Sequence, residues 1–202
     1  WSYSCVNLLT TFTGIKNEAR FISVADGQTT FEESENSNLS GPLTISEPSS
    51  YEKLFMFTVM NNSLPGIPMT YYGEEFGHIG EKGYDSQRDM KFQISLNVVE
   101  SYHKNRVSKL NSLRAHYPSL SVGDFMVLRE SKNFTAWLKS YYNEKILIFF
   151  NLQDKTIELN VPLPFKSKKL ISLLDDQVIE VNDKNIIGLI VPPYKTGIFL
   201  LE

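Results

Sequence analysis

The chain has 202 residues, 42% of them hydrophobic and 21% charged, with a formal charge of −3. This is globular composition, with material for one large domain or two small ones. The acidic balance argues against a polyanion-binding face and hence against a nucleic-acid partner, the lone Cys5 cannot form an internal disulfide, and no apolar run approaches the ~18 residues of a membrane span.

The sequence opens at Trp1 with no methionine and no charged leader, so any targeting signal is expected to be absent or removed, and the chain reads as a piece of something longer. An apolar run, "VNLL", reads as a buried strand near residues 7–12, followed by "FTGIKNEARF", whose polar centre is Ile15-Lys16-Asn17-Glu18. Residues 26–50 are rich in Ser, Thr, Asn, Glu, Gly and Pro, the composition of a long exposed loop. "SSYEKLFMFTVMNN" predicts a helix over 50–62, apolar nearly all round, with Ser49 and Glu52 spaced as a capping box. "LPGIP" breaks it, and "MTYYG" predicts a short strand at 68–72, entered sharply through Gly66 and Pro68, with Tyr71 and Tyr72 on opposite faces.

A second helix is predicted over 97–116, its apolar stripe formed by Val99, Tyr102, Arg106/Val107, Leu110, Leu113 and Tyr117, with Pro118 as the stop. Beyond Gly123 the period changes. Eight short strand-like runs, from "DFMVLRE" to "TGIFLLE", alternate with turns carrying Asn, Asp, Lys, Pro or Gly, which predicts an antiparallel sandwich with Trp137, Ile146, Ile148 and Phe150 among its core. The basic "FKSKK" between two of these runs reads as a solvated turn. The expected boundary falls near residue 120. Strand-helix-strand-helix implies parallel strands with right-handed crossovers, and such strands need both faces covered. Residues 1–120 are therefore expected to belong to a larger barrel or sheet.

"LPGIPMTYYGEEFGHIG" (64–80), "DSQRDMKF" (85–92) and "LNSLRAHYPSLSVGDF" (110–125) follow one another in an order that resembles the α-amylase family of glycoside hydrolases. There the eighth barrel strand reads roughly PG-x-P-x-x-YYGEE, a loop ending R-x-x-M-x-W/F follows, and a last helix leads into a C-terminal β-domain. The resemblance covers nearly all of residues 6–202 and is architectural beyond 123. It implies the seventh and eighth units of a (β/α)8 TIM barrel over 1–120, followed by an antiparallel Greek-key β-sandwich over 121–202. Glu74 and Glu75 would emerge at the carboxyl face of the barrel, where active sites lie. Because the catalytic carboxylates of the family lie elsewhere, these two are expected to hydrogen-bond neighbouring loops.

In the family the seventh strand ends F-x-G-N-H-D-x-x-R-F. Phe12, Gly14, Arg20 and Phe21 match that frame without a gap, while Ile15, Lys16 and Asn17 stand where Asn, His and Asp would be. The resemblance gives that aspartate the support of an oxocarbenium-like transition state. An amide carries no charge to do so, and an ammonium opposes it. A second sugar-holding loop, D-P-D-N-R-R-D-M-R-F, aligns on Met90 and Phe92. Gly83 and Gln87 replace its first aspartate and first arginine, while Asp85, Arg88 and Asp89 remain. A one-residue slip could bring Arg88 into the arginine's role.

No catalytic residue is therefore expected in this chain, since the nucleophile and general acid of the family come from strands it does not contain. Arg20, Asp85 and Arg88 are the candidate substrate-binding residues. No cofactor or metal site is expected, and His78, His103 and His116 are scattered. Trp137, Tyr141 and Tyr142 in "FTAWLKSYY" could stack on sugar or serve as core. Sequons at Asn38, Asn61 and Asn133 permit an extracellular or cell-surface setting. Expected partners are an α-glucan or another carbohydrate and the remaining barrel, in the same parent chain or a second one. The family reading predicts a part of an α-glucan-active protein that is not itself catalytic. The alternative is a degenerate barrel kept as a binding or ancillary module, such as a transporter heavy-chain ectodomain.

Overall fold

The computed structural model describes residues 8–31, 44–83 and 87–202. Expectations that rest on Cys5, Asn38, Asp85 and the middle of the 26–50 loop lie outside those residues. Two compact units divide the chain, one made of Thr10–Asn61 and Pro68–Ser108, the other of Trp1–Leu9, Asn62–Ile67 and Lys109–Glu202.

In the first unit, β1 (Thr10–Phe12) precedes a short helix, α1 (Phe21–Ala25), and a long one, α2 (Ser49–Ser63). Strand β2 (Ile67–Met69) pairs with β1 in a two-stranded sheet, and where the two strands run into the second unit the Ile67 N–H donates to Leu9 O at 2.7 Å. Both strands are shorter than the apolar runs predicted. Leu8 lies outside the strand and is 72% exposed. At the other end the chain leaves β2 before Tyr71 and Tyr72, so those rings do not take opposite strand faces. They lie edge to face with centroids 4.8 Å apart.

Helix α2 begins at Ser49 itself, so Ser49 is not the capping residue that the Ser49–Glu52 spacing predicts. The carboxylate of Asp26 tethers the start of the helix instead, accepting from Ser46 N–H, Glu47 N–H (2.8 Å) and the Ser50 hydroxyl (2.8 Å). Burial raises the pKa of Asp26, but these hydrogen bonds outweigh it and hold the carboxyl below its ordinary value. The ring of Phe57 stacks on Phe21 of α1 at 4.2 Å.

The next helix, α3 (Val98–His116), has the predicted length but not the predicted phase in its first turns. Val99 and Tyr102 face water, and the buried positions are Glu100, His103, Val107 and Leu110. That is still a three-and-four stripe, but polar residues occupy its first half. Glu100 is satisfied by Lys91 at 2.7 Å and by the N–H of Asn97 at 2.9 Å. Arg106 grips both oxygens of Glu52 at 3.0 and 3.1 Å and lies 3.7 Å above the Phe55 ring. A bidentate pair with a cation–π contact locks α2 to α3 more firmly than a surface ion pair would.

In the second unit, Pro118 opens a short helix, α4 (Pro118–Val122), instead of only ending the previous one. Arg114 donates to the carbonyls of Asn62, Leu120 (2.5 Å) and Gly66 (2.6 Å), joining three separate chain segments. Eight strands follow: β3 (Asp124–Glu130), β4 (Phe134–Tyr141), β5 (Glu144–Asn151), β6 (Ile157–Pro162), β7 (Lys169–Ser172), β8 (Val178–Glu180), β9 (Ile186–Val191) and β10 (Thr196–Leu201). They form a six-stranded sheet in the order β3-β4-β5-β10-β7-β8 and a two-stranded sheet β6-β9, with every pairing antiparallel.

Phe134, Ala136, Leu147, Phe149, Leu170 and Phe199 from the large sheet meet Val161, Ile187, Leu189 and Val191 from the small one in a single core. The opposite face of β4 and β5 carries Trp137, Ile146, Ile148 and Phe150, which are also buried, with α4 packed on the same strands. A central strand covered on both faces explains why "KILIFF" lacks clean alternation.

Candidate functional site

The segment after β1 and the segment after β2 both belong to the first unit, and they meet. Gly14 permits their close approach, because a Cβ there would run into the Glu74 carboxylate. Glu74 is buried in a short 3-10 turn (Glu74–Phe76) and accepts from the Thr13 hydroxyl. Burial raises its pKa, while the Thr13 hydrogen bond and Arg20 pull it back in part. As expected, Glu74 serves a neighbouring loop.

Arg20 is only 2% exposed. Its guanidinium lies 4.4 Å from the Tyr71 ring and 4.5 Å from the Tyr72 ring and donates to Tyr72 O at 2.7 Å. A desolvated cation held between two rings contributes ~2 kcal/mol. This cluster places the Arg20 side chain inside the fold, where it sets the path of the chain leaving β2. The motif makes Tyr71 and Tyr72 conspicuous, but nothing in the sequence links them to Arg20, 51 and 52 positions away.

Asn17 takes a left-handed conformation, φ 71, which asparagine adopts more readily than most side chains. Its carbonyl accepts from Gly83 N–H at 2.9 Å, and its Oδ1 accepts from Gln87 Nε2 at 2.8 Å. Glu18 and Lys82 face each other at 3.9 Å beside this pair. Two of the positions that the sequence resemblance sets against the family pattern, Asn17 and Gln87, are thus hydrogen-bonded to each other. Lys16 is exposed.

Further on, Tyr72 Oη donates to Arg88 O at 3.0 Å and His78 Nε2 lies 2.9 Å from Asp89 O, so Arg88 and Asp89 are fixed through their backbones. Burial lowers the pKa of His78, against the Asp89 contact that would raise it. Asp85 lies outside the described residues. Of the sequons, Asn61 is buried and its amide donates to Met69 O at 3.3 Å, whereas Asn133 is exposed between β3 and β4. Among the described residues there is no cluster of His, Cys, Asp and Glu that could hold a metal ion, and no helix long and apolar enough to cross a membrane.

Residues 125–198 match the family described as Maltogenic Amylase, C-terminal domain. A cyclomaltodextrinase of Geobacillus thermopakistaniensis (strain MAS1) is 26% identical over 151 residues, 74% of this chain and 25% of that protein. The crystal structure of an Anoxybacillus α-amylase superposes on 96% of this chain with a TM-score of 0.77 and 26% identity. Along most of its length the chain is similar to α-amylase-family proteins. It corresponds to the C-terminal part of the family's proteins and covers 38% of that Anoxybacillus enzyme. The α-amylase of Geobacillus thermoleovorans, solved with acarbose, shares the fold over 97% of this chain and 39% of its own, with a TM-score of 0.77 and 23% identity.

Set on this α-amylase-family frame, the contact between Asn17 and Gln87 acquires a chemical meaning. Two neutral amides bonded to each other occupy positions where the family resemblance implies an ionised carboxylate and a guanidinium. Neither amide can balance a developing positive charge.

Proposed function

We propose that this chain is the C-terminal portion of an α-amylase-like protein that engages α-glucan without contributing to its cleavage. Residues 1–120 form the seventh and eighth units of a (β/α)8 barrel, and residues 121–202 form a Greek-key β-sandwich. Apolar side chains left exposed on the two-stranded sheet, Phe12, Ile67 and Met69, support a larger barrel in which further strands cover them.

The observation that carries the reading is the hydrogen bond between Asn17 and Gln87. It joins the loops that would bracket a sugar and puts no charge between them. Retaining glycosidases need two carboxyl groups roughly 5 Å apart. Of the nearby acids, Glu74 is engaged by Thr13 and Glu18 faces Lys82. Arg88 and Asp85 are the candidates to contact a sugar hydroxyl, with Arg20 positioning the chain beside them.

Incubating the 202-residue chain with soluble starch and with cyclomaltodextrin, and measuring reducing ends, tests this reading. No release above a buffer blank is expected. Release that scales with protein concentration would overturn it.

A further inference from the structure

The turn between β4 and β5 places an aromatic ring in a costly position. Tyr141 and Glu144 are the last paired residues, so Tyr142 and Asn143 make the turn. Tyr142 adopts φ 51 and is 87% exposed. Left-handed backbone is unfavourable for a residue with a Cβ, and glycine or asparagine would satisfy such a turn without that strain. The ring is not used to fill the core.

It is nevertheless held in place. Tyr141 is itself 40% exposed and stands beside it, with ring centroids 4.8 Å apart and planes at 88°, so the two rings form a corner. Val122, Asp124 and Ser140 complete a hollow of about 320 Å³, the lower end of the range for small-ligand sites. Asp124 and Ser140 are cross-strand partners on β3 and β4, so the polar side of the hollow is as fixed as the sheet. The base of the hairpin is pinned as well, because Glu144 accepts the Ser119 N–H of α4 at 2.7 Å. A preorganised surface loses little entropy when it binds.

We propose that this corner binds one pyranose ring of a linear α-glucan. A pyranose has an apolar C–H face and an equatorial rim of hydroxyls. Here one tyrosine ring can stack on that face and the perpendicular ring can close its edge, while the Asp124 carboxylate accepts from a hydroxyl and Ser140 donates or accepts. A purely apolar ligand would leave that carboxylate desolvated without a partner, and an anion would be repelled by it. The choice of α-glucan among polyhydroxylated rings rests on the α-amylase-family reading above. The corner itself requires no catalysis.

Isothermal titration of the 202-residue chain with maltoheptaose tests the site. Saturable binding is expected, and Tyr142→Gly should weaken it about tenfold or more. Glycine suits the left-handed turn, so the same variant should melt at or above the wild-type temperature, which separates loss of the ring from loss of the fold. Tyr142→Phe keeps the stacking surface and should bind within about threefold of wild type. No saturable binding by the wild type, or unchanged affinity in Tyr142→Gly, would overturn the proposal. Sugar release from starch would refute the noncatalytic reading and leave this one standing.

Discussion

His103 should make the helical unit acid-sensitive well above the range where carboxylates protonate. The ring is 1% exposed on the buried stripe of α3, and neither nitrogen has a hydrogen-bond partner. Tyr51 and Phe55 meet it edge-on at 5.6 and 6.2 Å. Burial, reinforced by Arg106 and partly opposed by Glu52, brings its pKa from 6.5 to about 4. In the unfolded chain the same ring titrates near 6.5. The folded pKa is the lower one, so the unfolded state takes the proton first, and stability is complete above about pH 6.5 and falls as pH drops toward 4. Two and a half decades of proton affinity correspond to about 3 kcal/mol, of which about 2 kcal/mol is already lost at pH 5. Urea unfolding followed by helical circular dichroism at pH 7.5 and pH 5, on wild type and His103→Leu, reads this directly. The wild type should lose about 2 kcal/mol more than the variant, since every other titrating group is common to both. At pH 7.5 the variant should be close to wild type, because both unpaired nitrogens are removed together. Equal losses in the two proteins would show that the ring is hydrated or paired and would refute the reasoning.

Restoring Lys16→His and Asn17→Asp in a full-length parent that has the family's nucleophile and general acid should raise starch hydrolysis by orders of magnitude, since one aimed charge contributes ~3 kcal/mol to such a barrier. No gain with the fold intact would mean that the loss extends through the whole site. Gly14→Ala puts a Cβ on the Glu74 carboxylate and should cost ~1–3 kcal/mol in denaturant unfolding. In combination with Glu74→Ala the two costs should be clearly less than additive, and strict additivity would show that the two positions do not touch. Lys139 is fully buried, donates to Gly123 O at 3.0 Å, and has its pKa brought down by burial from 10.5 to about 8. Between pH 8 and 10.5 the unfolded chain holds the proton that the folded chain has lost, so stability should rise with pH across that interval, a rise that Lys139→Met should lack in pH-dependent melting.

Periodicity was read correctly in the sequence wherever the burial it reports is simple. The eight strand runs and the length of both long helices emerge from it. It misplaced the phase of α3 because Glu100 and His103 look like surface residues and are buried only through tertiary partners, Lys91 and the Tyr51–Phe55 pair. It overextended β1 and β2 because an apolar run marks burial, not the length of the partner strand. Lys16, Asn17, Gly83 and Gln87 each stood out against the family frame. That Asn17 and Gln87 bond to each other depends on a separation of 70 residues, which no local pattern encodes. The role of Arg20 between two tyrosines was hidden for the same reason.

The three carbonyls gathered by Arg114 have a practical consequence for dissecting the protein. A fragment beginning at Lys109, inside α3, would hold every strand of the sandwich. It would keep Leu120 but lose Asn62 and Gly66, leaving the Arg114 guanidinium with one of its three carbonyl acceptors. The covalent joint and the mechanical joint therefore fall in different places. The short peptide at 62–67, encoded well upstream, is a component of the C-terminal body, and any shuffling of the sandwich between proteins has to carry a substitute for it.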